Sequence, residues 1–391
     1  MWTSSAHTHF HKSLFASFCS ALCFWTSTFY STNAHCETVS IGAHAFWYRG
    51  PVRSMALAGA TVAETRGGST LDNPASGGFQ ESLLSSTLSY GEPQDNGVQT
   101  DSSVALKQGY QMIGASILPL DFLSIGATYQ TLDFKSSNKP DASRTLFYTD
   151  NISEIDFTLA YKLGNLAIGA SVSNADSKRE INLITTNAAS YSATTQATGS
   201  TTLKAGVQLM ATKSLSLGVF FREPSKFTLN SSGENSLAFF NSSYHPQVLQ
   251  AGFVYRPLIE SKKSGPFSLQ NIAIAAQIDQ YTFPYLPDSN KIYSGPGVVF
   301  GSLNAFELNT KESYAPRLGI ELPVITTWIF STYTRTGLYY EPAYLKSGKP
   351  RLHTTAGALI RFWYLAFEGA IDVAKDYRNW NYGVGLDFDL R

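Results

Sequence analysis

The sequence predicts an all-β protein: a transmembrane antiparallel β-barrel of about fourteen strands with an N-terminal hatch, or plug, inside its lumen. Three observations predict it. Apolar and polar residues alternate along segments about as long as a tilted strand needs to cross a bilayer, roughly 9–11 residues. Charged residues are only 15% of the 391 residues, against about 25% in soluble domains, yet beyond residue 35 no stretch approaches the ~18 apolar residues of a helical span. The connections between the alternating segments fall in a long, short, long, short order, as outer-membrane barrels require.

The first element, residues 1–36, reads as a secretory signal. His7, His9, His11 and Lys12 form a weakly basic start, Leu14 to Trp25 an apolar core, and small residues place cleavage after Ala34 or Cys36. His35 stands where a lipid-attachment site wants a small residue. All three cysteines, Cys19, Cys23 and Cys36, lie in or beside this segment, so the processed chain is expected to carry no disulfide and no thiol chemistry. The early histidines leave with the signal, and no metal site is expected.

Residues 37–79 do not alternate. They are rich in Gly and Ala, which allow a backbone to lie close against a wall, and Asn73-Pro74 starts a turn. Lying ahead of the first strand, this segment is expected to fold into the bore as a plug.

The barrel is expected over 80–391, with strands at 80–90, 104–118, 121–133, 152–163, 165–174, 202–211, 214–222, 247–256, 269–280, 312–321, 325–338, 352–362, 364–374 and 381–390. An even number puts both chain ends on one side. The last strand shows the pattern best: Tyr382, Val384, Leu386, Phe388 and Leu390 alternate with Gly383, Gly385, Asp387 and Asp389. Tight connections are expected at Pro119-Leu120, Leu163-Gly164-Asn165, Thr212-Lys213, Pro323 and Trp363. Long loops are expected at 91–103, 134–151, 175–201, 223–246, 281–311 and 339–351. Residues 257–268 and 375–380 are intermediate and strain the order. Aromatics at 13% suit interfacial girdles.

Alternation also assigns the faces. Ile155, Phe157, Leu159 and Tyr161 oppose Glu154, Asp156, Thr158 and Lys162; Leu365, Phe367, Ile371 and Val373 oppose Glu368 and Asp372; Ile272, Ile274 and Ile278 oppose Gln277 and Asp279; Leu318 and Ile320 oppose Arg317 and Glu321. A basic residue on the lipid face at mid-membrane costs ~2–4 kcal/mol, so the charged sides belong to the lumen.

Several short motifs then resemble one family. Ala58-Gly59-Ala60-Thr61-Val62-Ala63 followed by Asn73-Pro74-Ala75 resembles the hatch of the outer-membrane long-chain fatty-acid and aromatic-hydrocarbon transporter (FadL-like) family. The stretch from Tyr314 to Glu321 and that from Trp328 through Arg335, Gly337 and Tyr339 to Pro342 resemble its late strands. His245 to Pro257 resembles a middle strand. The resemblance implies a fourteen-stranded barrel, a hatch that moves, and lateral exit of an apolar ligand such as a long-chain fatty acid. The hatch residues carried over are Gly59, Ala60, Asn73, Pro74 and Ala75. Two departures stand out: Thr65-Arg66-Gly67-Gly68 replaces the acidic residues usual between the hatch motifs, and Arg391 stands where a terminal aromatic is usual.

No chemistry argues for an enzyme. Beyond the signal the histidines are few (His44, His245 and His353, with His35 depending on cleavage), and no nucleophile elbow, zinc spacing or phosphate loop occurs. No catalytic residue and no cofactor is expected. Net charge is zero, with 29 basic and 29 acidic residues, which gives no reason to expect nucleic acid as a partner.

A fatty acid needs an apolar trough and a cation. Lumen candidates are Lys162, Lys204, Arg317, Arg335 and Arg361, with Arg335 first because Tyr333 and Tyr339 share its side. The alternative is that these cations pair with Glu154, Asp156, Glu321, Glu368 and Asp372 and only hold the wall. The expected place is the outer membrane of a diderm bacterium, in contact with its lipid, with both termini periplasmic. A general porin, or a barrel whose long loops make it an adaptor or attachment protein, are the competing readings.

Overall fold

Alternating apolar residues need a surface on each side, and a closed cylinder in lipid supplies both. The computed structural model describes residues 39–41, 51–65, 72–95, 105–141, 144–186, 191–229, 242–257, 272–282, 291–293, 305–307, 312–327, 329–343 and 349–388. The expected signal segment, Thr65-Arg66-Gly67-Gly68 beyond its first residue, Trp328 and Arg391 lie outside the described residues.

Fourteen strands form the wall. They are β1 (Leu84–Asp95), β2 (Ala105–Leu120), β3 (Leu123–Asp141), β4 (Arg144–Leu163), β5 (Leu166–Thr185), β6 (Thr202–Met210) and β7 (Leu215–Arg222). They continue as β8 (Gln247–Tyr255), β9 (Ala273–Thr282), β10 (Glu312–Thr326), β11 (Phe330–Glu341), β12 (Arg351–Phe362), β13 (Leu365–Ala374) and β14 (Tyr377–Phe388). Each pairs antiparallel with the next, and β1 pairs with β14 from Leu84 opposite Phe388 to Asp95 opposite Tyr377, so no edge is left.

Every expected strand is present, but several run further. The expected loop 134–151 is mostly hairpin: β3 reaches Asp141 and β4 begins at Arg144. The expected loop 175–201 contains the end of β5 and a further strand, Tyr191–Gly199. Segment 223–246 holds Ser225–Leu229 and Ser242–His245. Past the membrane both faces of a strand are wet, so pairing continues without apolar alternation to mark it.

Two prolines expected at turns lie in or at the end of strands. Pro119 is inside β2, and the turn is Asp121-Phe122. At Pro323 the register of β10 slips between Pro323 and Ile325 and the strand continues to Thr326. A bulge accommodates a residue that has no N–H to give. Gly164 and Trp363 turn with positive φ, 62° and 57°.

The faces are as alternation assigns them. Phe157 and Leu159 are 57% and 53% exposed on the outer surface, whereas Asp156 and Thr158 between and beside them are 3% and 9% exposed.

At the long-loop end β5 forks. Its first half, Leu166 to Ser173, pairs with β6, and its second half, Asp176 to Leu183, pairs with strand 191–199. That strand pairs with 225–229, which pairs with 242–245, which pairs in parallel with Val39–Ile41.

Candidate functional site in the barrel lumen

The segment before β1 lies against the inner wall. It opens with a short helix, α1 (Val52–Ala56), whose first N–H groups at Ser54 and Met55 donate to the Pro51 carbonyl at 2.9 and 3.2 Å. Pro51 fits there because a first-turn N–H has no helical partner to lose. Ala58 and Gly59, at φ 57° and 75°, end it. The left-handed region costs Ala58 on the order of 1 kcal/mol, and the tight wall contact holds it there: its Cβ would lie 2.7 Å from a Cβ added at Gly337.

Pro74–Phe79 forms a 3-10 helix capped by Asn73, whose side-chain oxygen accepts from the Ala75 N–H at 3.0 Å. The Asn73 amide donates to the Val62 carbonyl at 2.7 Å. That bond joins the two hatch motifs read in the sequence. Ala60, Val62 and Ala63 pack with Phe220, Val254, Ala273 and Ala275 of the wall. Gly59, Ala60, Asn73, Pro74 and Ala75 therefore lie in one buried strip.

Small residues in the wall make the approach possible. Moving along the segment, Val52 lies against Gly383, Ala56 against Gly357, Leu57 against Gly319 and Ala58 against Gly337. Val62 follows against Gly218 and Gly252, Asn73 against Gly206, and the Pro74–Ala75 peptide against Gly169. A Cβ at any of these would collide with the segment. The contacts pass from β14 through β12, β11, β10, β8, β7 and β6 to β5, so the segment follows the wall around most of its circumference. Hydrogen bonds add to the seat: Thr355 Oγ1 to the Ala56 carbonyl at 3.0 Å, Arg317 Nη1 to the Ala58 carbonyl at 2.8 Å, the Val62 N–H to Gln277 Oε1 at 2.9 Å and Ser216 Oγ to the Ala63 carbonyl at 2.8 Å.

Charges cluster at the same level. Arg53 Nη2 lies 3.3 Å from Glu64 Oε2 and 3.2 Å from Glu321 Oε2. Glu64 also accepts from Arg256, and Glu321 from Arg335 at 2.8 Å. Burial alone would lower the Arg53 pKa, but Glu321 and Glu64 outweigh it and hold the group above the ordinary guanidinium value. A second group lies elsewhere on the wall: Lys204 bonds Glu154 at 2.8 Å and Asp156 at 2.7 Å.

The cations singled out in the sequence are placed as follows. Arg335 is buried between Glu321 and Glu368, at 2.8 and 3.2 Å. Arg317 bonds Asp279 at 2.6 Å and lies 4.8 Å over the Tyr339 ring. Tyr339 donates to Asp372 at 2.6 Å and stacks on His353 at 4.2 Å. Arg361 is half exposed and pairs with Asp387 at 2.7 Å. Lys162 lies 5.4 Å over Phe79 of the N-terminal segment. Tyr333 is half buried. Arg317 and Tyr339 come together; Arg361, Lys162 and Lys204 lie in separate groups. The pairing alternative thus describes most of these residues. Sequence reasoning missed Arg53 and Glu64, because a segment without period gives no facing for its charges, and Arg256, because it stands at the very end of its strand, just past Tyr255 and next to Pro257, where alternation stops.

No protein-family model matches the chain, and no curated protein matches it in sequence. Solved structures do match in shape. A Pseudomonas aeruginosa FadL homologue superposes with a TM-score of 0.59 at 11% identity, over 88% of this chain and 99% of that one. This is a FadL-like fold. The Ralstonia pickettii toluene transporter TbuX gives 0.57 at 12% identity over 88% and 99% of the two chains. The Pseudomonas putida toluene transporter TodX gives 0.58 at 13% over 87% and 98%.

Proposed function

We propose that the protein is an outer-membrane channel for small hydrophobic molecules, with residues 37–79 as the plug of its bore. The observation that carries the reading is the N-terminal segment, which follows the inner wall of a closed barrel and is seated on wall glycines. A general porin has no use for such an insert. The FadL homologue and the toluene transporters of the same fold support the hydrophobic class, and long-chain fatty acids and other small apolar molecules both remain within it.

In this reading residues 1–36 are a cleaved signal and the short-turn end, with both termini, is periplasmic. The segment shifts to let cargo descend, and cargo leaves through the wall. The protein has no catalytic role, and the long loops gather ligand rather than attach to a partner.

Deleting residues 37–79 tests the plug. Conductance across planar bilayers is expected to rise sharply; unchanged conductance removes the plug from the reading. Uptake of labelled fatty acid and of toluene into vesicles tests the cargo. Equal uptake with and without the protein would end the transport reading in favour of an adaptor.

A further inference from the structure

The wall is uneven in height at the long-loop end. β4 and β5 have 20 residues each, whereas β13 has 10 and joins β14 through the two-residue turn Lys375-Asp376. The 10 residues of β13, at ~3.3 Å each and tilted ~40°, rise about 25 Å, the height of the apolar band of such a barrel. The turn therefore stands at the level of the lipid headgroups, and the outward face of β13, β14 and β1 meets lipid all the way up to it.

The side chains on that face are ordered by depth. Leu88, Val384 and Phe367 stand opposite one another in one row, and Tyr90 and Tyr382 in the next row up. Trp380 and Ile371 follow, and Arg378 and Val373 form the last row before the turn. All of these except Ile371 are exposed. Aliphatic, tyrosine, tryptophan and cation succeed one another as acyl chain, interface and headgroup do in a leaflet. Tyr382 also stands opposite Gly369, where an added Cβ would meet nothing within 4 Å. Ala358 of β12 is the other neighbour of Gly369. The two small residues leave a notch in the outer face, between Phe367 and Ile371 along β13.

Cations stand above the rings. Lys375 lies in the turn, Arg378 just beyond it, and Lys349 two residues ahead of the neighbouring strand β12. All three are exposed, and among the described residues none of them is in an ion pair. On the taller wall, by contrast, Lys178 is paired with Glu180 at 2.7 Å. The carboxylates described on the low face are Asp376 in the turn and Glu92, which accepts from the Tyr90 hydroxyl at 2.6 Å. Positive charge is in excess there.

We propose that this face is a docking site for a phosphorylated glycolipid of the leaflet at the long-loop end. Its phosphate meets Lys375 and Arg378, its sugar ring lies against Trp380, and an acyl chain fills the notch beside Tyr382. Arg378 is two residues, about 7 Å of strand, beyond Trp380, which leaves room for a sugar between phosphate and chain. The proposal rests on the outer-membrane placement of the channel and not on its cargo.

Diphosphorylated lipid A is the probe, with its dephosphorylated form, phosphatidylglycerol and inorganic phosphate beside it, each measured by equilibrium binding to the full chain in detergent. At about fivefold per cation, Lys375→Ala/Arg378→Ala is expected to weaken lipid A binding by about 25-fold. The dephosphorylated form is expected to bind wild type about as weakly and to ignore that double substitution. Gly369→Leu, which fills the notch and leaves the cations, is expected to weaken both forms. Lipid A affinity that survives both the double substitution and removal of its phosphates overturns the proposal. So does phosphatidylglycerol binding as tightly as lipid A, or inorganic phosphate displacing it, since the face would then read phosphate alone. Toluene uptake into vesicles by the double variant is expected to match wild type, so failure of the lipid site leaves the channel reading standing. Absent uptake with lipid A binding intact removes the channel reading and leaves the lipid site.

Discussion

Replacing Arg53 by Met should release the N-terminal segment from the wall. Among the described residues, three cations, Arg53, Arg256 and Arg335, face three carboxylates, Glu64, Glu321 and Glu368, with contacts from 2.5 to 3.3 Å. Arg53 and Glu64 belong to the segment; the other four belong to the wall. Among the described residues, removing Arg53 leaves two cations for these three carboxylates. Breaking a buried ion pair costs about 3–5 kcal/mol, and at 1.4 kcal/mol per tenfold the released fraction should rise by roughly two to three and a half orders of magnitude.

Hydrogen exchange of the amides in 51–65 reads that fraction directly, since these groups exchange when the segment leaves its seat. The double variant Arg53→Met/Glu64→Gln restores the charge balance and should recover most of the protection, so the two substitutions should couple strongly. The reasoning fails if Arg53→Met leaves exchange in 51–65 unchanged while β10 and β11 lose protection. The cluster would then brace the wall and not the segment.

Three further outcomes follow from the same geometry. Gly206→Val drives a side chain into Asn73, threatening its bonds to Val62 and Ala75 at 2.7 and 3.0 Å. At about 1 kcal/mol per bond plus about 1–3 for overpacking, single-channel conductance should rise while the barrel's own unfolding midpoint stays near wild type. Leu159→Arg, at a position 53% exposed on the lipid face, should destabilise the inserted barrel by about 2–4 kcal/mol if it lies at mid-membrane, measured by urea unfolding in vesicles. Arg335→Ala leaves Glu321 and Glu368 short of a cation and should cost about 3–5 kcal/mol of stability with fatty-acid affinity unchanged. A large loss of fatty-acid affinity would restore Arg335 as a head-group site.

The wall was legible because its information is local. A period of two needs only the neighbours along the chain, and all fourteen expected segments, from 80–90 to 381–390, correspond to strands. The inward placement of Glu154, Asp156, Arg317 and Asp372 followed from the same period, since lipid excludes charge from one face. The strand ends were less legible. β3, β4 and β5 run on beyond the bilayer, where pairing no longer needs greasy residues, and Pro323 sits in a bulge because register depends on the partner strand.

Tertiary structure alone decided the rest. That Glu321 stands beside Arg335 depends on the register of β10 against β11, and that Arg53 shares it depends on a residue 268 positions away lying against that wall. The wall glycines read in sequence as weak points of strands; their use appears only when Ala56, Val62 and Asn73 are found against them. Phe227 lies in a stretch expected to be loop, and only the forking of β5 carries it back onto Tyr110, Leu132 and Ile152. Alternation tells each side chain which face it takes; closure of the cylinder decides what it meets there.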